Sequence, residues 1–266
     1  MAPGALIILV EAASNSPEDV FPAVDVATKL VKENDGGQVS MSFGGLETSQ
    51  ELTYDKHFKE TSGIVYVAAV GDDPEEGPEY PATSPLVIAV GGTQFLRTLN
   101  AALTYVAEIV WYDAPKGQGS IISTSGGRSL YEPRPSFQKD VKEVTGAWRG
   151  TPDVAAVASP GVWTCLQGQW GGVAGTSLST PLWAGIINNA HSQKGAVPQN
   201  TNTTYAELMQ VYGSLGTPSY SEKFHDITQG GAWAGVPIND GWCGPNGLTP
   251  ALKGYNLCGG LGSPKL

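Results

Sequence analysis

The residues best placed to do chemistry lie at 171–181, Gly171-Gly172-Val173-Ala174-Gly175-Thr176-Ser177-Leu178-Ser179-Thr180-Pro181. Glycines let the backbone turn sharply into a helix, and the first turn of a helix leaves N–H groups without intrahelical acceptors. A serine there has an exposed hydroxyl beside donors able to hold an oxyanion, which a nucleophilic serine needs. Pro181 fits a first helical turn, where its missing N–H costs nothing. Local physics alone favours an ordinary Ser/Thr cap on a core helix over a nucleophile. Gly71-Asp72-Asp73 ends another apolar run, and Asp72 taken alone reads as a turn residue in an acidic loop with Asp73, Glu75 and Glu76. Glu51 and Asp55 stand four apart on a predicted helix, so they share a face. That face is expected to be solvated.

The elements that must position these groups alternate between two periods. Apolar runs at 6–10, 39–43, 64–70 and 86–90 read as strands buried on both faces, each closed by a polar or glycine turn. Between them, Ser16-Pro17-Glu18-Asp19 starts a helix carrying Phe21, Val24, Leu30 and Val31, which Asn34-Asp35-Gly36-Gly37 stops. A second helix is expected over 48–60. Further strands are expected at 154–157 and 161–166, a long, mostly apolar helix at 177–190 and another at 204–212, while 94–138 resists assignment. This rhythm predicts an α/β fold, a doubly wound, mainly parallel sheet with helices on both faces, in one domain over 1–266. In such sheets ligands bind outside the carboxyl ends of the strands.

Composition narrows the function. The net charge is −10 and the pI near 4.7, a poor match to phosphate backbones or anionic membranes, so neither nucleic acid nor membrane is an expected partner. No run reaches the roughly 18 apolar residues of a membrane span. Residues 1–10 lack the basic start of a signal peptide and read as a strand instead. Cys165, Cys243 and Cys258 have no metal-ligand spacing. The last two flank a Gly/Pro-rich loop, and a disulfide there or three buried thiols are both open. Asn202-Thr203-Thr204 is a glycosylation sequon.

Residues 175–181 resemble the nucleophile motif of the subtilisin-like serine peptidases. Val39-Ser40-Met41-Ser42-Phe43-Gly44-Gly45, Gly71-Asp72, Tyr80-Pro81-Ala82-Thr83-Ser84-Pro85, Ala89-Val90-Gly91-Gly92-Thr93, Arg134-Pro135-Ser136-Phe137-Gln138, Arg149-Gly150-Thr151-Pro152-Asp153-Val154-Ala155, Gly254-Tyr255-Asn256 and Gly260-Leu261-Gly262-Ser263-Pro264 select one branch of them. They resemble the sedolisins, the serine-carboxyl peptidases, in family order and over nearly the whole chain.

The resemblance implies peptide-bond hydrolysis at acidic pH through an acyl-enzyme on Ser177, with peptides or proteins as substrates and a secreted or otherwise acidic, oxidising location. Asp72 takes the oxyanion position, and a carboxyl donates to an oxyanion only when protonated, hence the acidic pH. Ser42, Phe43 and Gly44 line the substrate cleft. A calcium ion is implied, held by Asp226, Ile227, Leu252, Gly254 and Asn256. Asn256 replaces the family's Asp and Leu252 its Gly, so one carboxylate fewer is expected to weaken the site.

The family's Glu-x-x-x-Asp acid pair precedes the segment matched here by Ala2-Pro3-Gly4-Ala5. That helix is missing, so the N-terminal part of the family domain is expected to be absent and this chain to be at best a feeble peptidase. Glu51 and Asp55 are out of order for the role, and His57, His191 and His225 lack a His-Gly-Thr context. Two other functions remain open: an impaired member that only binds peptides, and a serine hydrolase acting on esters. Loss of a covering helix is further expected to favour self-association through strand 6–10.

Overall fold

The structure is a computed structural model and describes residues 2–59, 62–96, 107–113, 122–193, 203–228, 232–233, 236–237 and 251–265. In chain order the strands used below are β1 (Gly37–Met41), β2 (Gly45–Leu46), β3 (Ile64–Ala69), β4 (Glu79–Tyr80), β5 (Ile88–Leu96) and β6 (Ala107–Val110). They continue with β7 (Tyr112–Asp113), β8 (Ile122–Ser123), β9 (Gly127–Pro133), β10 (Trp148–Thr151), β11 (Val154–Ser159), β12 (Val162–Leu166) and β13 (Gln169–Val173). The helices are α1 (Pro17–Glu33), α2 (Glu51–Tyr54), α3 (Lys142–Thr145), α4 (Thr176–Gln193) and α5 (Thr204–Tyr212). β1, β3, β5 and β11 form a parallel sheet in that order, and β6 adds antiparallel to β5.

The apolar runs become central strands because both sheet faces are covered. In β3, Val65 and Val67 join a core with Trp183 and Ile187 of α4 and Leu208 of α5, while Ile64, Tyr66 and Ala68 join a second core with Phe21 and Val24 of α1. β5 divides the same way, Ile88 and Val90 against Ala89. This period-2 split across a run with no polar residue is the expected doubly wound arrangement. α1 begins with Pro17 in its first turn and ends where Gly36 N–H reaches back to Val31 O.

Four expectations change. Residues 6–10 form no strand: Leu6 is 70% and Ile7 88% exposed, and among the described residues β1 pairs with β3 alone. An apolar run becomes a buried strand only where neighbours cover it, and none does. The helix expected over 48–60 is α2 followed by a 3-10 turn at Asp55–Phe58. The unassigned stretch holds β6 to β9. Finally, Cys165 is a free, exposed thiol on the β12–β13 hairpin, whereas Cys258 is buried and disulfide-bonded, its partner lying outside the described residues. Three buried thiols are therefore excluded, and Cys243 and the sequon's Asn202 also lie outside the described residues.

A buried ion pair ties the sheet to its surroundings. Arg149 Nη1 and Nη2 donate to Asp153 Oδ1 and Oδ2 at 2.7 and 2.6 Å, and both side chains are fully buried. Asp153 also accepts from Ala89 N–H at 2.8 Å and from the Tyr212 hydroxyl at 2.7 Å, so β5, β11 and α5 meet on one carboxylate. Burial alone pulls the Arg149 guanidinium down, but Asp153 beside it more than reverses that and holds it charged.

Candidate active site

Ser177 is the second residue of α4, at the carboxyl ends of the parallel strands. The turn before it requires glycine. Gly175 has φ +97°, and a Cβ there would lie 2.3 Å from Asp72 Oδ2. Asp72 follows Gly71 at the end of β3, and its Oδ1 accepts from both Thr176 N–H (2.8 Å) and Thr176 Oγ1–H (2.6 Å). A carboxyl thus caps the helix that carries Ser177. The remaining oxygen, Oδ2, lies against Gly175.

Pro181 sits in the second turn of α4 rather than the first. It has no N–H to give the carbonyl four residues back, which is that of Ser177. Ser42 Oγ–H donates to that carbonyl instead, at 3.0 Å. The proline that sequence assigns to an unpaired N–H position therefore leaves an acceptor, and the residue after β1 fills it, latching the cleft edge to the nucleophile helix. Deeper in α4, Ser179 Oγ–H and Trp183 Nε1–H donate to the carbonyls of Ala156 (2.9 Å) and Ala155 (2.7 Å), docking the helix on β11.

Phe43 and Gly44 follow Ser42 on the exposed rim. Sequence reasoning missed their neighbour Glu79. Its carboxyl fills the space between Gly44 and Gly71: a Cβ on Gly44 would lie 2.5 Å from Oε2, and one on Gly71 1.9 Å from Oε1. Burial, then Glu76, Asp72 and Asp73, push Glu79 up to about 7. The two glycines ending β1 and β3 were the available signal, since each marks a place where something approaches the backbone closely.

Glu51 is not on a solvated face. It is 1% exposed, its Oε2 accepts from Thr48 N–H at 3.0 Å, and it lies among Glu47, Asp55 and Glu132. The spacing placed Glu51 and Asp55 on one side of a helix correctly, but that side faces β9 and β4. Neither histidine whose side chain is described, His57 or His225, hydrogen-bonds Ser177. His57 Nδ1 is 2.9 Å from Asp25 and its ring stacks on Phe21, in the α1 core. His225 is a strand residue paired with Ser263, and the side chain of His191 lies outside the described residues. Among the described residues no side chain hydrogen-bonds the Ser177 hydroxyl.

The donors assigned by resemblance to calcium do come together, but they bond to one another. Asn256 Nδ2 donates to Ile227 O at 3.1 Å and Leu252 O at 2.9 Å, and its Oδ1 accepts from Cys258 N–H (3.0 Å) and Gly259 N–H (2.8 Å). Both oxygens of Asp226 accept from Gly254 N–H at 3.0 Å. All four hydrogen-bonding positions of the Asn256 amide are filled, and a cation would have to displace its NH₂ group. Among the described residues no group of three or more His, Cys, Asp or Glu is arranged to hold a metal ion. As they stand, these residues do not fit calcium.

This fold has known counterparts. A model of the subtilase family matches residues 1–211. The chain belongs to the subtilase family. Kumamolisin from Bacillus sp. (strain MN-32) is 31% identical in an alignment of 248 residues that covers 85% of this chain and 40% of that protein. Sedolisin from Pseudomonas sp. (strain 101) is 33% identical over 171 residues, 63% of this chain and 28% of that protein. The chain is similar to both and spans less than half the length of either relative. The solved Pseudomonas sedolisin, a serine-carboxyl proteinase complexed with two molecules of pseudo-iodotyrostatin, superposes with a TM-score of 0.76 at 24% identity, over 96% of this chain and 69% of that one. Sphericase shares the fold at a TM-score of 0.56 and 18% identity. No helix among the described residues is long and apolar enough to cross a membrane.

Proposed function

We propose that this subtilase is a serine-carboxyl peptidase that cleaves peptide bonds in acid through an acyl-enzyme on Ser177. The observation that carries the reading is the seat of Ser177, behind a helix start capped by Asp72 and latched to the cleft edge by Ser42. In this reading the Ser177 hydroxyl attacks the scissile carbonyl. Asp72 Oδ2, carrying a proton, donates to the developing oxyanion beside the N–H groups of the first turn of α4. Ser42, Phe43, Gly44 and Glu79 border the bound peptide. A second reading, peptide binding without turnover, is favoured by the Ser177 hydroxyl having no side-chain partner among the described residues, since a serine needs an adjacent base to attack. Assays on casein, a peptide library and simple esters in parallel, across acidic pH, separate the cases. Peptide turnover supports the first reading, calorimetric peptide binding without turnover the second, and turnover of esters alone contradicts both.

The loop around Asn256, in this proposal, is closed without calcium. The wild-type melting temperature is then indifferent to chelator and to added calcium. Asn256→Asp removes the two donated bonds, leaves the carbonyls of Ile227 and Leu252 facing a second carboxylate, and costs about 1–3 kcal/mol. Calcium then raises the melting temperature of that variant alone, by mass action. A wild-type melting temperature that falls with chelator contradicts this.

A disulfide-bonded Cys258 supports an oxidising, secreted location. The exposed Leu6, Ile7 and Leu9 supply a surface for self-association, which sedimentation at increasing concentration reads directly.

A further inference from the structure

Beneath the cleft wall lies a cluster of four carboxyls from separate segments: Glu47 after β2, Glu51 on α2, Asp55 in the following 3-10 turn and Glu132 on β9. Glu51 and Glu132 are 1% and 2% exposed, and Oε1 of each is buried without a donor. Their other contacts are spoken for. Glu51 Oε2 accepts from Thr48 N–H, while Glu47 accepts from Ser129 Oγ–H and from Leu130 N–H at 3.0 Å. Asp55 Oδ1 accepts from the Tyr80 hydroxyl at 3.1 Å. Each of the two residues has a carboxyl neighbour, Glu51 beside Glu47 and Glu132 beside Asp55.

A buried carboxylate oxygen without a donor is costly, and two carboxylates in contact repel. A proton on each of Glu51 and Glu132 removes both penalties, because an O–H then donates to the partner carboxylate. The surroundings agree. Burial and Glu47 push Glu51 up to about 9, and burial and Asp55 push Glu132 up to about 8. The cations that act on the cluster, Arg149 on Glu132 and Lys59 on Asp55, pull down without reversing this, and burial raises Asp55 as well. Ser84 and Tyr80 are the neutral groups on Asp55.

We propose that Glu51 and Glu132 are positioning residues that each hold a proton in the folded protein, shared with Glu47 and Asp55, and that these shared protons clamp the β2–β4 wall of the cleft. The link to the wall is Tyr80. Its hydroxyl bonds Asp55, its backbone pairs with Gly45, and the next pair, Leu46 with Glu79, places the Glu79 carboxyl against Gly44 and Gly71. Deprotonation puts two further charges into the cluster and releases Tyr80, and with it the rim formed by Phe43, Gly44 and Glu79. The role as cleft wall rests on the peptidase reading; the proton clamp does not.

The sign of the effect is fixed by linkage. Between the unfolded carboxyl value of 4.5 and the raised folded values, the folded protein holds protons that the unfolded chain has released, so stability falls as pH rises. The experiment follows the melting temperature and the amide exchange of residues 45, 46, 79 and 80 from about pH 5 to about pH 9. It compares wild type with Glu51→Gln and Glu132→Gln. Glutamine donates an N–H where the protonated acid donates an O–H and cannot ionise. Wild type is expected to lose about 10 °C and to open at these amides first, with the loss at least halved in each variant. An equal loss in wild type and both variants overturns the proposal. Infrared spectroscopy of wild type keeps the test independent of variant folding: a protonated-carboxyl band near neutral pH is expected, and its absence overturns the proposal. A chain without peptidase activity that shows the band and the variant effect leaves the clamp intact and removes only its role in the cleft.

Discussion

Asp153→Ala is expected to be the most damaging single change to folding. Asp153 gives Arg149 both of its bonds to a carboxylate and anchors Ala89 N–H and the Tyr212 hydroxyl, and Arg149 Nε already lacks a partner. Without the carboxylate, a fully buried guanidinium keeps only the carbonyls of Gly150 and Val87 and the face of Phe137, 5.3 Å away. Leaving one member of a buried pair uncompensated costs about 3–5 kcal/mol. At roughly 2–4 °C per kcal/mol for a chain near this size, the melting temperature falls by on the order of 10 °C. Adding Arg149→Met to Asp153→Ala removes the stranded charge and is expected to recover part of the loss, which thermal denaturation of the two variants side by side measures. A double variant less stable than Asp153→Ala contradicts the account.

Ser177→Ala is expected to be the most damaging change to chemistry. If the hydroxyl forms the acyl-enzyme, its loss removes whatever peptide turnover the protein has and leaves only the background of the oxyanion site and binding. Folding barely changes. The hydroxyl has no hydrogen-bond partner among the described residues, alanine is a good helix former, and the helix start keeps its Asp72 cap, so the stability cost is about 1 kcal/mol at most. Turnover that survives in a folded Ser177→Ala protein moves the nucleophile elsewhere.

The sheet was legible because its signal is local. Six apolar residues from Ile64 to Ala69 with glycine turns on both sides admit little but a strand covered on both faces, and the caps at Ser16 and Gly36 bound α1 closely. Residues 6–10 show the limit of the same signal. Their composition matches that of β3, but burial depends on neighbours that composition cannot name. The helical spacing of Glu51 and Asp55 fixed their common side without saying what it faces, because Glu132 and Tyr80 arrive from distant segments. At Asn256 the replacement of a carboxylate by an amide was legible, and its consequence was not. Counting ligands predicts a weakened cation site, whereas the NH₂ group bonds the carbonyls of Ile227 and Leu252. Pro181 behaves the same way, its meaning set by Ser42, a residue 139 positions upstream by chain number.

The central claim is that Ser177 is a nucleophile seated at an oxyanion site. Treatment with a fluorophosphonate probe, followed by peptide mapping by mass spectrometry, tests it without needing a substrate. A single adduct on Ser177, formed faster than on the other serines and abolished in Ser177→Ala, is the result expected. Labelling that spares Ser177, or persists undiminished in Ser177→Ala, would contradict it.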